Sequence, residues 1–192
     1  TKRSPLNQFT AGDLVKVVAS DGKVQGTAYI NPNTLVCARL LSRKPSAKLG
    51  MNLFTDRISK ALALRERFYH KPYYRLIFGE SDGIPGLVID RFGDVLSVQI
   101  TTAGIERQKE PLIEVLIERL KPRAILLKNN NSQRQLEGLP DQDELVYGEL
   151  PEQLLIEENN AQFKIDIMGG QKTGWFYDHR SSRAELAKLA SG

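Results

Sequence analysis

Residues 169–180, GGQKTGWFYDHR, bring more chemistry-bearing side chains together than any other stretch of the chain. Gly169, Gly170 and Gly174 let a ligand or another chain segment lie against the backbone. Trp175, Phe176 and Tyr177 offer surfaces that stack on a purine or cover an apolar cleft. Asp178 is placed to cap a helix that begins near Arg180 and carries Ala184, Leu186, Ala187 and Leu189. The same residues also suit a loop that caps a helix and packs its rings into the core. Residue types alone leave both readings open.

Other candidate sites are weaker. Glu80, Asp82, Asp90 and Asp94 lie in the glycine-rich stretch ESDGIPGLVIDRFGD, residues 80–94. They lack the spacing and paired helices of a calcium loop. An acid–base pair in a cleft is one reading, and it predicts lost activity with an intact fold on Asp82→Ala or Asp90→Ala. Turn residues that bond their own backbone are the favoured one. Arg91 either meets RNA phosphate or pairs with a neighbouring acid. His70 is expected at a helix end, against the helix dipole. His179 has no partner at metal-ligand spacing, so no metal site is expected. Cys37, the only cysteine, is expected to be a small buried hydrophobe in mid-strand. There is no nucleophile elbow, phosphate loop or dinucleotide fingerprint, so no catalytic residue is assigned.

Charge divides the chain. Residues 1–75 hold 14 Lys/Arg against 4 Asp/Glu, whereas residues 76–192 hold 13 against 19. A basic first part suits contact with a polyanion, because Lys and Arg release counterions from phosphates. Lys16, Arg39, Arg43, Lys44 and Lys48 are the RNA-contact candidates. Apolar residues make up 41% and charged residues 26%, as in ordinary globular proteins. With no apolar run of membrane length and no apolar N-terminal stretch, a cytoplasmic location without membrane contact is expected.

The elements that must position these residues follow from periodicity. Strands are expected over 13–19, 24–30 and 34–41, with turns at Ser20-Asp21-Gly22 and Asn31-Pro32-Asn33. Three strands are few for a stable module, so this one is expected to begin before Thr1. A basic linker, 43–50, leads to a helix over 52–70 whose face is Leu53, Ile58, Leu62, Leu64 and Phe68. Strands are then expected at 73–79, on either side of an Asp90–Asp94 hairpin turn, and at 124–128. A helix starts near Lys109, with Pro111 in its first turn. LVYGEL and QLLIEENNAQFKIDIM add strands, with a turn at Glu158-Asn159-Asn160. The order specifies an α+β fold.

These stretches carry a family resemblance. GGQKTGWFYDHRSSR, 169–183, is similar to the G-(H/Q)-K-T-G-(aromatic)₂-x-D-x-R segment that opens the catalytic domain of RlmI-like S-adenosylmethionine-dependent ribosomal RNA large subunit (cytosine-C5) methyltransferases. YRLIFGESDGIPGLVIDRFGD resembles that family's YRLI-GESDGLPGL-IDRFG signature, and VYGELPEQLLIEENNAQFKIDI resembles the stretch before its catalytic domain. Residues 12–42 resemble the latter part of its PUA domain, an RNA-binding β-barrel. The resemblance covers essentially the whole chain.

It implies a partial PUA-like barrel over 1–45, a mixed α+β central domain over 50–150, and a β-hairpin with the start of a methyltransferase domain over 151–192. A doubly wound methyltransferase domain is expected downstream, with the glycine-rich cofactor loop and the catalytic cysteines. It further implies that Lys172, Thr173, Gly174, Asp178 and Arg180 lie beside the S-adenosylmethionine and target-base cleft. His179 and Tyr177 stand where the family most often has Gln and Leu. The implied partner is ribosomal RNA, and a homodimer is left open. Methylating an unactivated ring carbon needs a covalent nucleophile, for which a cysteine thiolate is suited. The base must also leave its stack, which favours aromatic and basic surfaces. A stand-alone RNA-binding or ribosome-associated module without catalysis is the alternative.

Overall fold

Alternating apolar and polar residues over 13–30 fold as the first two strands of an antiparallel sheet. The computed structural model describes residues 6–190; the outermost ends of the expected first and third units lie outside it. β1 (Asp13–Val18), β2 (Val24–Ile30) and β3 (Ala38–Ser42) pair in that order. The strand expected from Thr34 starts only at Ala38. Asn31 holds the chain in a turn until then: its Oδ1 accepts from Asn33 N (3.1 Å), and its own N donates to the Cys37 carbonyl (2.7 Å). Cys37 therefore lies ahead of the strand and is half-buried, not a mid-strand core residue.

The central part is a five-stranded sheet in the order β4 (Tyr73–Phe78), β5 (Leu87–Phe92), β6 (Val95–Ile100), β7 (Ala124–Leu127), β8 (Glu144–Gly148). All neighbours are antiparallel except β6 and β7, which are parallel. A parallel pair needs a crossover. It is made through α2 (Ala103–Glu106) and α3 (Lys109–Leu120), and Pro111 sits in the first turn of α3, where no intrahelical N–H partner is required. α1 (Met51–Glu66) precedes the sheet and α4 (Ser132–Leu136) follows β7.

Period-two alternation separates two cores across this sheet. Leu87, Ile89, Leu96, Val98, Ile125 and Leu127 face α1 and α3. Phe92, Val95, Ala124 and Leu126 face the hairpin of β9 (Leu154–Glu158) and β10 (Ala161–Ile165). Asn159 (φ 53°) and Asn160 (φ 63°) make its two-residue turn, as the sequence predicts; both central residues of such a turn need positive φ. α5 (Arg180–Leu189) closes the described chain.

α1 departs from its expected extent and face. It ends at Glu66, so His70 lies beyond it, exposed and away from any helix end. Its buried residues are Phe54, Ile58 and Ala61, whereas Leu64 and Phe68 face solvent. The first sheet docks on the central part through Tyr29, which is 3% exposed and donates from its hydroxyl to the Pro85 carbonyl (2.7 Å). Asn31 Nδ2 donates to Glu137 Oε2 (2.8 Å), and Arg107 pairs with Asp13 (2.8 Å).

Candidate functional site

The 169–180 segment lies on the hairpin side of the central sheet, and its glycines receive the protein itself. A Cβ on Gly170 would come within 2.3 Å of the Asp166 carbonyl, and Gly174 takes φ +113° against Ile167. This tight return drives Thr173 into the interior, where it is fully buried. Its hydroxyl donates to Asp90 Oδ2 (2.5 Å), while Arg75 gives Asp90 two further bonds (2.9 and 3.0 Å). Asp90 and Arg75 are cross-strand partners on β5 and β4, which is why the pair forms. Burial pulls the Arg75 pKa down, but the hydrogen bond and charge of Asp90, with Asp178 adding, leave it above its ordinary value.

A second carboxylate anchors the aromatics and α5. Glu158, at the end of β9, accepts from Arg183 Nε (2.6 Å), Arg180 Nε (3.2 Å) and Trp175 Nε1 (3.3 Å). Burial alone would raise its pKa; the donors from Arg183, Arg180 and Trp175 outweigh this and hold it below the usual glutamate range. Tyr177 stacks on Phe92 (5.5 Å between centroids) and donates to the Arg91 carbonyl (2.8 Å). Trp175 packs on Phe163 (5.0 Å). Arg180 also donates to the Tyr73 carbonyl.

The expectations for this segment resolve unevenly. Thr173 and Arg180 have their polar groups engaged within the chain, and Gly174 packs on Ile167; only Lys172 and Asp178 turn polar groups outward. Lys172 holds its ammonium 4.8 Å from the Phe176 ring. Asp178 is not the helix cap: it lies in the 3₁₀ turn Tyr177–His179, and α5 begins without a side-chain cap bond. The start of α5 is instead held by its side chains, Arg180 and Arg183 donating to Glu158 and Arg180 to the Tyr73 carbonyl.

Three of the four acids at 80–94, Glu80, Asp82 and Asp90, have side-chain partners beyond their own turns. Asp82 pairs with Arg65 (2.7 Å) and accepts from Phe78 N (2.7 Å), Glu80 pairs with Arg39 (3.3 Å), and Asp90 is the buried anchor described above. Only the Phe78 contact is the local turn bonding that was expected. Arg91 pairs with no acid among the described residues; it donates to the Gly93 carbonyl and the Tyr74 hydroxyl.

What the residue types did not single out is a cleft of about 460 Å³ beside the segment. Leu64, Phe68, Tyr69, Phe78, Tyr177 and Asp178 line it, together with Arg65 and Arg75. The available signal was the aromatic run Phe68-Tyr69 followed by Tyr73-Tyr74, of which Phe68 reads as helix face and Tyr73-Tyr74 as strand. Among the described residues no group of His, Cys, Asp or Glu could hold a metal ion, and no helix is long and apolar enough to cross a membrane.

The basic candidates separate into two sets. Lys16, Arg43, Lys44 and Lys48 are exposed and form no ion pair among the described residues. Lys16 aligns with Thr27 and Ser42 across the first sheet, and Thr27 Oγ1 donates to the Lys44 carbonyl, which brings the 43–48 stretch to that same face. Arg39 is different: it is half-buried and tied to Glu80 of the central part.

Comparison with known proteins agrees with this architecture. Residues 3–43 match the family model described as a PUA-like domain. A protein from Shewanella denitrificans named "Ribosomal RNA large subunit methyltransferase I" is 36% identical over 186 residues, covering 95% of this chain and 47% of that protein. A Vibrio cholerae protein of the same name is 35% identical over 181 residues, covering 92% and 45%. A solved Streptococcus mutans structure, described as a candidate SAM-dependent methyltransferase, shares the fold with a TM-score of 0.80 at 23% identity, over 95% of this chain and 47% of its own. Another, a candidate methyltransferase in complex with SAH, has a TM-score of 0.78 at 24% identity, over 92% and 45%. The chain spans about half the length of the curated relatives it matches. It is therefore homologous, over nearly all of its own length, to members of the ribosomal RNA large subunit methyltransferase I family.

Proposed function

We propose that this chain is the RNA-holding and substrate-positioning part of an S-adenosylmethionine-dependent methyltransferase that modifies carbon 5 of a cytosine in large-subunit ribosomal RNA. The observation that carries this is the homology over 95% of the chain to proteins named for ribosomal RNA methylation. Lys16 on the first sheet and Arg43, Lys44 and Lys48 just after its last strand, none ion-paired among the described residues, support it, because free cations bind phosphate without reading sequence. The working division is 1–45 for RNA contact, 50–150 as the central scaffold, and 151–192 as the entry to a catalytic domain.

The parent protein's S-adenosylmethionine supplies the methyl group, and its reactive cysteine and cofactor loop are assigned outside these 192 residues. Of the five residues assigned to it, Lys172 and Asp178 face outward for a role beside that cofactor, while Thr173, Gly174 and Arg180 hold the segment in place.

The test uses undermethylated ribosomal RNA with labelled S-adenosylmethionine. The chain alone should bind the RNA in a salt-dependent way and transfer no methyl group; robust transfer by residues 1–192 would overturn the assignment. Arg43→Ala with Lys44→Ala should flatten the log–log salt dependence of binding by about 1 to 2 units, two phosphate contacts' worth. An unchanged slope would remove this stretch from the RNA interface.

A further inference from the structure

Phe78, Val88 and Gln99 pair directly across β4, β5 and β6, so their side chains form one row on the hairpin face of the central sheet. The neighbouring row, Arg75, Asp90 and Ser97, is met by Thr173, and Phe92 and Val95 are met by the β9–β10 hairpin. The Phe78 row lies past these covers and is the floor of a groove of about 620 Å³. One wall is the turn after β2, where Leu35 is fully exposed and Val36 56% exposed. The other is α4, where Leu136 is 74% exposed. Apolar side chains exposed together in one concavity mark a binding surface. The groove sits at the joint between the first sheet and the central part, and its size lies within the usual range of small-ligand sites, about 300–1,000 Å³.

The polar lining decides what this groove accepts. Arg39 is held by Glu80 (3.3 Å), and its Nε is enclosed. Glu137 accepts from Asn31 Nδ2 (2.8 Å) and the Ala103 N–H (3.3 Å). These charges are spent within the protein, so the groove offers no free cation to a phosphate. Gln99 and Gln133 keep their side-chain amides free of hydrogen bonds among the described residues. A primary amide presents a donor and an acceptor side by side, the pattern that pairs with N6 and N7 of adenine. The two-acceptor edge of guanine asks instead for an unspent guanidinium. Apolar floor and walls favour the larger face of a purine over a pyrimidine, since more area leaves water. Arg43 and Lys44 follow Arg39 by four and five residues, about 13–17 Å along extended chain, so one RNA strand can span groove and cations.

We infer that this groove seats one unpaired adenine of the bound RNA, with the base over Val88 against Phe78 and its N6–N7 edge met by the Gln99 and Gln133 amides. The inference rests on the RNA-binding reading above and adds a base contact at the joint, which fixes the register of the strand held by the cations.

The test compares the wild-type chain, Gln99→Leu/Gln133→Ala, Phe78→Ala and Phe68→Ala by fluorescence anisotropy, on labelled single-stranded A8 and U8 RNA and on a structured ribosomal RNA fragment. Thermal melting confirms that the variants fold; should Gln99→Leu not fold, Gln133→Ala and Phe78→Ala carry the test. Wild type should bind A8 about fivefold more tightly than U8, the size of one modest hydrogen bond. The double glutamine variant should bind A8 and U8 alike. Phe78→Ala should bind A8 about fivefold more weakly, the low end for loss of a surface on which a base rests, with its salt slope unchanged. Phe68→Ala, which lines the neighbouring cleft and not this groove, should match wild type. A loss in Phe68→Ala as large as in Phe78→Ala overturns the placement in this groove. A8 binding unchanged in both the glutamine variant and Phe78→Ala overturns the base seat and leaves a protein segment as the occupant. Equal A8 and U8 binding by wild type overturns the adenine selection. If wild type ignores both octamers but binds the structured fragment, the base seat fails while the RNA-binding reading stands. No binding to any of the three overturns both.

Discussion

Thr173 shows how one hydroxyl fixes a segment. Asp90 is fully buried, and its carboxylate is satisfied only when Arg75 and Thr173 both reach it. Ser97 Oγ, in register with Asp90 on the next strand, is buried without a partner among the described residues and offers no substitute. Thr173→Val should therefore cost about 1.5 kcal/mol in urea unfolding, the low end of the loss for one hydrogen bond to a charged group. Asp90→Ala should cost more, about 3 kcal/mol, because it leaves Arg75 largely enclosed without its counter-charge. An Asp90→Ala chain with undiminished stability would contradict this role. Glu158 sets an acid limit. Its folded pKa is depressed, so its contribution is complete above the unfolded glutamate value, about 4.3, and is lost as pH falls through the lower folded value. Melting between pH 7 and pH 3 should show a drop below that point that is absent in Glu158→Gln.

Elements meet here through a few close approaches. Gly104 in α2 leaves room for the Tyr29 ring, since a Cβ there would come within 2.4 Å of it. Tyr29 is also hydrogen-bonded to Pro85 and Thr102, so its ring has little freedom to retreat. Gly104→Ala should loosen the first sheet from the central part while sparing β4–β8. Hydrogen exchange should then rise in β1–β3 without matching change in β5–β7; uniform protection throughout would refute this joint. The β9–β10 hairpin is the other critical element, because its inner face closes the second core and Glu158 at its end anchors α5.

At the scale of the whole molecule, a PUA-like sheet, with cations on and just after it that are unpaired among the described residues, is fixed to a mixed sheet that carries helices on one face and a hairpin on the other. That arrangement carries exposed cations and the aromatic cleft on one docked frame, which fits the proposed role in positioning a polyanion. Much of it was legible in the sequence. β1, β2, α3, the Asn159-Asn160 turn and the β5–β6 hairpin follow from periodicity and turn residues, because those signals are local. The resemblance motifs likewise pointed to the methyltransferase relatives before any fold was known. What local signals could not carry was which partners meet across the chain. α1 turned Phe54, Ile58 and Ala61 inward and left Phe68 for the cleft, because the opposing sheet selects a helix face. Arg134, in α4, is 2% exposed and donates to the Ile100 carbonyl (2.6 Å) and Glu106 (2.7 Å), partners that no local pattern marks. The sequence by itself determined that 169–180 must pack glycines closely and bury or stack its rings. Only the tertiary structure decided what lies against them: Asp90 is 83 residues from Thr173 along the chain, and no local pattern encodes a contact at that distance.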